Sequence, residues 1–404
     1  MKPLSTLAIA LAALSSNAVA GDWPQFRGPD STGVAADAKI PDKPKIDWSA
    51  ELPGRGLASP VVVGGKVFIA CSSGPKQGRL HLICFSAKDG AKLWERQLNA
   101  TGRTMSHPKT SVAACTPCSD GRHVFVLWSC NDLAAFDLDG DLLWLRGLTA
   151  DYPNASNSLG MASSPIVIGE TVVAMIENDS ESYSLGIDTK TGRNIWKLDR
   201  PKSANWTSPV PLRTDAKAAP IALLQSSKGI LAVDAASGSR MCEFAESAST
   251  MSSSVVADGV IYAPGNGVTA LSPQASNAAP KPLWNSKQIN PSTISPLVLD
   301  GRIFSVNGAG VITAAAATTG EVQWKLRLTG PFSGSPVGAG ARVLAVNEKG
   351  LAQVVDIAVA EGAVAGQLQL PLKDDAKELI LSTPSLDGTH VFIRTDSTLW
   401  RLGE

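Results

Sequence analysis

A short motif that returns eight times along the chain limits what this sequence can fold into. Each copy has a Ser or Thr, usually a proline, a few β-branched residues, a tight glycine turn and a second apolar run. The prolines are Pro60, Pro117, Pro165, Pro209, Pro296, Pro336 and Pro384, and Ser254 takes the proline's place once. Neighbouring copies lie 40 to 57 residues apart, which is typical of β-propeller blades. The pattern predicts an all-β fold, an eight-bladed β-propeller of four-stranded antiparallel blades, with seven blades as the alternative if one weak repeat is misread.

The first repeat shows how each motif encodes a hairpin. Ser59 and Pro60 lead into the apolar run 61–63, the pair Gly64-Gly65 makes a turn, and a second apolar run follows at 67–69. Glycine pairs and Asp-Gly suit two-residue hairpins because they tolerate positive φ. The Asp-Gly form of this turn recurs at 120–121, 258–259, 300–301 and 387–388.

A tryptophan follows the second glycine turn of most repeats. These residues are Trp94, Trp144, Trp196, Trp284 and Trp324, and the first three and the last each come four residues after a glycine. A tryptophan on the outer strand would seal the contact between two blades by burying roughly 150–250 Å². Cys242 and Gly366 fill the same position in repeats four and seven, so we expect those two repeats to have the weakest blade contacts.

The two ends of the chain predict how the ring closes. Trp48 precedes Pro60 by 12 residues, as later tryptophans precede the next motif, although no blade comes before it. At the other end, the chain stops after 398–402, which corresponds to the third strand of a blade. We therefore predict that residues 45–52 supply the fourth strand of blade 8, because this pairing removes an exposed sheet edge.

The first 20 residues have the pattern of a secretory signal peptide. Lys2 precedes an apolar run at 4–14, and Ala18-Val19-Ala20 ends the segment with small residues. This pattern predicts an exported protein, periplasmic or extracellular, whose residues 21–404 form a single propeller domain. No cysteine follows the apolar run, so we expect no lipid anchor. No other stretch reaches the roughly 20 apolar residues of a membrane span.

Charge and cysteine content narrow the choice of partner. The chain has 36 Lys and Arg against 36 Asp and Glu, and the basic residues are dispersed. This argues against a nucleic-acid partner, which needs a clustered basic face. We expect a monomer. The six cysteines of an exported chain permit disulfides, Cys71 with Cys130 being one candidate, but buried free thiols are an equally open alternative.

Two blade-to-blade connections, 95–114 and 145–162, are longer than the others and are predicted to emerge on one face. The acidic segment 177–183 joins two strands beside them. Long loops on a rigid scaffold are where binding residues concentrate. The candidate ligand-binding residues on this face are Arg103, His107, Lys109, Asn178, Asp179, Glu181 and Trp206.

Each of these candidates has a plainer alternative. Oxygen atoms of Asn178, Asp179 and Glu181 suit Ca²⁺, but the segment lacks the glycine and the length of an EF-hand and also fits a solvated acidic turn. Trp206 could stack on a sugar or a quinone, or cap the sheet. His107 could be an ordinary polar loop residue.

The sequence contains no recognisable catalytic group. Cys115 and Cys118 match C-x-x-C, but the motif begins a strand, where a spacing of three puts the two sulfurs on opposite faces. We interpret both as structural thiols. No nucleophile with a base and no phosphate-binding loop is present. We therefore predict no catalytic residue and no metal ligand.

One segment resembles a known repeat family. Residues 185–196, which contain Asp188, Thr191-Gly192 and Trp196, resemble the tryptophan-docking motif of pyrroloquinoline-quinone-type (PQQ-like) propellers. Weaker copies contain Asp234 and Thr319-Gly320. The opening segment 22–29 is similar to the start of exported, mostly uncharacterised bacterial members of this family.

The resemblance implies two kinds of function. Quinoprotein dehydrogenases of this fold oxidise alcohols or sugars with PQQ and calcium, whereas the outer-membrane assembly lipoprotein BamB binds proteins without chemistry. This chain lacks the adjacent Cys-Cys pair and long insertions of many dehydrogenases, and it lacks the lipidated cysteine of BamB. We predict a non-catalytic binding or scaffold module for a protein or carbohydrate partner, with no cofactor. The alternative is a small PQQ- and calcium-dependent oxidoreductase.

Overall fold

A computed structural model describes residues 21–155, 159–213, 220–274, 278–373 and 378–404. The predicted signal peptide, residues 1–20, lies outside these ranges. Within them, no helix has both the length and the apolar character needed to cross a membrane.

Thirty-two strands form eight separate four-stranded antiparallel sheets, which confirms the predicted eight-bladed propeller. Blade 1 contains β2 (Val61–Val63), β3 (Lys66–Ser73), β4 (Arg79–Ser86) and β5 (Lys92–Asn99). Blade 2 contains β6 (Cys118–Ser119), β7 (His123–Leu127), β8 (Asp132–Asp137) and β9 (Leu142–Gly147). Blade 3 contains β10 (Ile166–Ile168), β11 (Thr171–Ile176), β12 (Tyr183–Asp188) and β13 (Asn194–Asp199). Blade 4 contains β14 (Val210–Leu212), β15 (Ile221–Ser226), β16 (Gly229–Asp234) and β17 (Arg240–Phe244).

The second half of the chain repeats this arrangement. Blade 5 contains β18 (Val255–Ala257), β19 (Val260–Gly265), β20 (Gly267–Ser272) and β21 (Lys281–Ser286). Blade 6 contains β22 (Leu297–Leu299), β23 (Arg302–Val306), β24 (Val311–Ala316) and β25 (Val322–Arg327). Blade 7 contains β26 (Val337–Ala339), β27 (Arg342–Val346), β28 (Leu351–Asp356) and β29 (Ala363–Gln369). Blade 8 contains β30 (Ser385–Asp387), β31 (His390–Arg394), β32 (Thr398–Gly403) and β1 (Lys45–Glu51). The described helices are short: α1 (Leu148–Asp151) and two 3₁₀ turns (Pro29–Ser31, Pro75–Gln77).

The ring closes through the N-terminal strand, as the sequence predicts. β1 pairs antiparallel with β32, and Trp48 lies opposite Arg401. The strand ends at Glu51, one residue before the predicted limit. Pairing of β1 covers the edge that β32 would otherwise expose.

Burial differs between the inner and outer strands of each blade. In blade 1, the inner strands β2, β3 and β4 are buried almost throughout, whereas every residue of the outer β5 is exposed or only partly buried. The cause is geometric, because neighbouring blades cover both faces of the inner strands. The apolar core therefore lies in the contacts between blades, as in the cluster that Phe68 and Leu82 of blade 1 form with Val124 of blade 2.

Each outer-strand tryptophan packs on a glycine turn of the next blade. Gly192 has φ +69°, and a Cβ atom at this position would lie 2.7 Å from the Trp144 ring. Only glycine therefore allows the indole to approach. The Trp144 indole N–H also donates to the Thr189 carbonyl at 2.9 Å. Trp48, Trp94, Trp196, Trp284 and Trp324 pack in the same way on Gly90, Gly140, Gly238, Gly320 and Gly362.

The two repeats without this tryptophan differ from each other. In the register of blade 4, Cys242 occupies the tryptophan position and is half-buried. In blade 7, Gly366 occupies it, and the Asp42 carbonyl of the N-terminal segment lies against it so closely that a Cβ would overlap. Arg342 pairs with the Asp42 carboxylate at 2.5 Å. The N-terminal segment thus covers the place that a tryptophan would fill in blade 7. The expected weakness of the blade contacts at repeats four and seven stays a prediction.

The same N-terminal segment crosses the central channel. Trp23, fully buried, bridges to Val62 on the inner strand of blade 1, and Val34 bridges to Gly338 on the inner strand of blade 7. Between them, the 3₁₀ turn packs against β14 and β18. Residues 23–34 therefore form a plug, by which we mean a segment that spans the channel from blade to blade.

Candidate functional site

Eight hydroxyl side chains form a ring around the channel at the start of the inner strands. They are the Ser or Thr that precedes the proline position of each motif: Ser59, Thr116, Ser164, Ser208, Ser253, Ser295, Ser335 and Thr383. Each is at most 5% exposed. We call this set the hydroxyl ring.

Backbone hydrogen bonds connect neighbouring members of the hydroxyl ring. The Ser59 N–H donates to Thr116 Oγ1 at 2.9 Å, the Thr116 N–H donates to Ser164 Oγ at 2.9 Å, and the pattern continues to Thr383. Seven such bonds, 2.9 to 3.2 Å long, join consecutive blades. Each hydroxyl so used accepts a bond, and within the described residues none of the eight donates its own proton to a protein acceptor. The recurrent Ser/Thr thus ties blades together and keeps its O–H free.

The ring has one break, between blade 8 and blade 1. Ser59 Oγ is buried and has no hydrogen-bond partner among the described residues. At this contact other side chains connect the blades: Ser385 Oγ donates to the Pro60 carbonyl, and Arg394 Nη1 donates to the Ala70 carbonyl at 2.7 Å. The blade 8–blade 1 contact is therefore closed by residues that the other contacts do not use.

Above the ring lies a cavity of about 440 Å³, which we call the funnel. The hydroxyl ring lines it at the channel, together with Phe26 of the plug. Connections between blades form the walls, whose apolar side chains are Leu57, Leu159, Trp206, Met251 and Leu381. Leu159 is 43% and Met251 47% exposed. Among the described residues that line the funnel there is no Asp or Glu.

The structure brings three of the predicted candidates into the funnel wall: His107, Lys109 and Trp206. The His107 ring accepts the Lys109 backbone N–H at 3.1 Å, and Lys109 Nζ lies 3.6 Å from the Glu348 carboxylate. The Trp206 indole N–H donates to the Gly160 carbonyl at 2.8 Å, which fixes the ring against the second long connection. Two basic or potentially basic groups and one aromatic ring thus border the same cavity.

The other four candidates lie elsewhere. Arg103, Asp179 and Glu181 line a separate, charged cleft of about 940 Å³ beside blade 3. Asn178 is fully buried, and its side-chain amide donates to the Glu181 carbonyl at 2.8 Å while its oxygen accepts the Ser180 N–H at 2.8 Å. Its side chain shapes the loop 177–182. Of the seven candidates, three therefore line the funnel and three line the cleft, while Asn178 lines neither.

The predicted boundaries of the long connections shift in the structure. Residues 95–99 belong to β5 and residues 145–147 to β9, and α1 begins the second connection. The segments outside the strands are thus shorter than the number of residues from each tryptophan to the next motif proline suggests.

The cysteines are all free thiols, Cys71 and Cys130 included. Burial raises the pKa of the Cys115 thiol to about 12, and that of Cys118 is raised by the same cause. Thiols so held are protonated at neutral pH and are poor nucleophiles. In the described part of the chain, no group of three or more His, Cys, Asp and Glu side chains is arranged to hold a metal ion.

Sequence reasoning missed the hydroxyl ring and the plug. The signal for the ring is present, since a Ser or Thr precedes the proline position in every repeat. In the sequence, however, this recurrence indicates only where each first strand begins. The plug has no repeat, so only its unusual Trp23 and Arg27 distinguish it.

Comparison with a family model extends over nearly the whole described chain. The model described as "Outer membrane protein assembly factor BamB" matches residues 42–281 and 268–402. No curated protein sequence matches the chain.

Solved structures share the fold at low sequence identity. BamB from Moraxella catarrhalis is 14% identical, with a TM-score of 0.62 over 89% of this chain and 98% of that protein. The quinohemoprotein alcohol dehydrogenase from Comamonas testosteroni is 13% identical, with a TM-score of 0.67 over 96% of this chain and 82% of that protein. A europium-containing methanol dehydrogenase is 11% identical, with a TM-score of 0.59 over 96% of this chain and 98% of that protein. At such identity these similarities establish the fold alone.

Proposed function

Because the chain belongs to the PQQ-repeat propeller family of the outer membrane protein assembly factor BamB, we propose that it is a non-catalytic module that binds a segment of a partner protein in its funnel. The predicted leader 1–20 supports an exported protein that acts in the periplasm or outside the cell. The proposal includes a monomeric propeller, since a single ring closes on its own first strand.

The composition of the funnel carries this proposal. A cavity of about 440 Å³ is within the range of ligand sites, which are lined mostly by apolar groups with a few placed polar groups. Exposed Leu159 and Met251 border it. Apolar side chains grouped around one groove are typical of binding surfaces, and the flexible methionine side chain adapts to varied partners.

A quinone centre with calcium fits these residues poorly. Ca²⁺ takes 6–8 oxygen ligands, carboxylates prominent among them, and the described funnel lining contains no Asp or Glu. The acidic side chain of Glu348 contacts two lining residues, but it already accepts a hydrogen bond from Ser333 Oγ at 2.6 Å and pairs with Lys109. A carbohydrate partner is the second candidate, because the half-buried Trp206 ring lines the funnel and aromatic rings can stack on sugars.

The test uses a library of random N-acetylated pentapeptides and measures binding of selected members by fluorescence anisotropy. We expect micromolar binding to the wild type and at least ten-fold weaker binding to Met251→Asp, because a charge there disrupts the apolar wall. The matched control is Leu93→Asp, since Leu93 is equally exposed (49%) but lies on the outer strand β5.

Three results would contradict the proposal. The first is that no peptide is selected, and the second is that Met251→Asp and Leu93→Asp bind equally well. The third is binding of neutral oligosaccharides that Trp206→Ala abolishes, with no peptide binding, which would assign the funnel to carbohydrate. A calcium-dependent shift of PQQ absorbance would instead restore the oxidoreductase alternative.

A further inference from the structure

We infer that the funnel recognises a carboxylate, specifically the C-terminal carboxylate of the bound segment, through the free O–H groups of the hydroxyl ring and the positive charge of Arg27 beneath them. This inference rests on the proposed function and names the part of the partner that enters deepest.

The first observation is a buried cation without a counter-ion. Arg27 of the plug is 0% exposed, and among the described residues no carboxylate forms an ion pair with it. Its guanidinium donates to three backbone carbonyls, those of Thr32 (3.1 Å), Ser254 (3.4 Å) and Pro296, and its Nε–H has no partner in the described part of the chain. A buried charge without an opposite charge is costly, so an anion brought by a ligand would be stabilised there.

The second observation is where this charge lies. Ser254 and Pro296 directly follow Ser253 and Ser295, two members of the hydroxyl ring. The guanidinium therefore hydrogen-bonds to residues that directly follow two members of the funnel floor. Burial lowers the pKa of Arg27 to about 9, so the side chain still carries its charge at neutral pH.

The third observation is the direction of the hydroxyl groups. Seven ring hydroxyls each accept a backbone N–H, which leaves their protons to donate. Ser59 Oγ is buried, lines the funnel and has no partner among the described residues. A floor that offers donors suits a group that only accepts hydrogen bonds, and an ionised carboxylate is such a group.

The fourth observation is charge complementarity in the wall. His107 and Lys109 lie in the funnel lining, Lys109 within 3.6 Å of the Glu348 carboxylate, whereas no described lining residue is acidic. The rest of the wall combines the hydroxyls of Thr110, Thr293 and Ser333 with the larger apolar side chains already named. These apolar side chains suit aliphatic groups next to a terminal carboxylate better than a polyhydroxylated sugar acid. A peptide C-terminus is therefore the occupant that both the floor and the wall favour.

The experiment compares two pools of random N-acetylated pentapeptides, one with a free C-terminal carboxylate and one with a C-terminal amide. We expect the free acids to bind wild type at least about ten-fold more tightly, because hydrogen bonds to a charged group are the stronger kind. Ser59→Ala should weaken the acids several-fold and leave the amides unchanged. The control Ser163→Ala removes another buried, unpartnered hydroxyl that does not line the funnel, and should change neither.

Arg27→Gln tests the charge. It should reduce the preference for the acid over the amide to less than about three-fold. If this variant does not fold, as judged by circular dichroism, Ser59→Ala still tests carboxylate recognition, because the Ser59 hydroxyl accepts no hydrogen bond from a neighbouring blade.

The outcomes separate the inference from the proposed function. Equal binding of acid and amide, both weakened by Met251→Asp, would retain the protein-binding function and overturn carboxylate recognition. Binding of trigalacturonate in place of the peptides would overturn the choice of a peptide terminus. Absence of any peptide binding would overturn both.

Discussion

Different hydrogen bonds join neighbouring blades at the blade 8–blade 1 contact and at the seven other blade contacts. At the seven, a backbone N–H of one blade donates to the Ser or Thr of the next. At the blade 8–blade 1 contact this bond is missing, and Ser385, Arg394 and Arg401 donate instead to backbone carbonyls of blade 1. Contacts between similar repeats can thus be encoded by one recurring residue, whereas the contact where the chain's two ends meet depends on residues outside the motif.

Deleting residues 21–52 should have the largest effect on this comparison. It removes β1, which leaves β32 as an open edge, and it removes the plug from the channel. We expect loss of the folded monomer, because an unpaired strand edge promotes aggregation. Size-exclusion chromatography and circular dichroism test this. A monomeric variant with cooperative unfolding would show that the seven regular contacts suffice.

Truncating a docking tryptophan should have the next largest effect. Trp196→Ala in the blade 3–blade 4 contact should lower the free energy of unfolding by about 3–5 kcal/mol, as for other buried tryptophans, because Trp196 is only 7% exposed. Trp48→Ala in the blade 8–blade 1 contact should cost less, since Trp48 is only partly buried. Urea unfolding measures both, with exposed Ile195→Ala as the control. A larger loss for Trp48→Ala would reverse the ranking.

Two substitutions in the hydroxyl ring should distinguish the seven regular contacts from the blade 8–blade 1 contact by their smaller effects on stability. Thr116→Val removes the acceptor of the Ser59 N–H and should cost about 1–3 kcal/mol, because a buried donor is left unsatisfied. Ser59→Ala removes a hydroxyl that accepts no such bond and should change stability by less than about 0.5 kcal/mol. Thermal unfolding compares the two. Equal losses would mean that the ring bonds do not hold the blades together.

The smallest effect concerns the turn between the third and fourth strands, which follows an Asp in blades 2, 3, 4 and 7. Blade 8 lacks this turn, since its last two strands come from opposite chain ends. Hydrogen bonds from the Thr191 hydroxyl and from the backbone N–H groups of Thr191 and Lys190 lower the pKa of Asp188 below its usual 3.8. A depressed carboxyl pKa stabilises the fold above the unfolded pKa, and this contribution is lost as pH falls through the folded pKa. Because Asp188 is only partly buried, solvent screens its interactions and we expect less than about 1 kcal/mol.

The measurement is the stability of Asp188→Ala and wild type as a function of pH. The two should differ at pH 6, and the difference should shrink as the pH falls through the lowered pKa of the folded-state Asp188 carboxyl. A difference that is independent of pH would contradict this account.

Much of the fold follows from local patterns. The proline positions and glycine turns predict strands and hairpins because those residues act on their own backbone. The position of Trp48 predicts β1 because the spacing from tryptophan to the next motif repeats. Less of the candidate site could be predicted. His107, Lys109 and Trp206 line the funnel, whereas Arg103 and Asp179 line the separate cleft. The sequence places residues on a common face, but it does not specify whether they share a cavity.

The sequence by itself determined the number of blades, the strands within them and the way the ring closes, because each depends on a period or on residues close in the chain. Only the tertiary structure decided what the repeated Ser and Thr do, since a ring of hydroxyls exists only when eight distant residues meet around one axis. It also decided the place of Arg27, whose carbonyl partners Ser254 and Pro296 lie more than 220 residues away. The charge beneath the funnel is therefore a property of the closed ring, and no segment of the chain contains it alone.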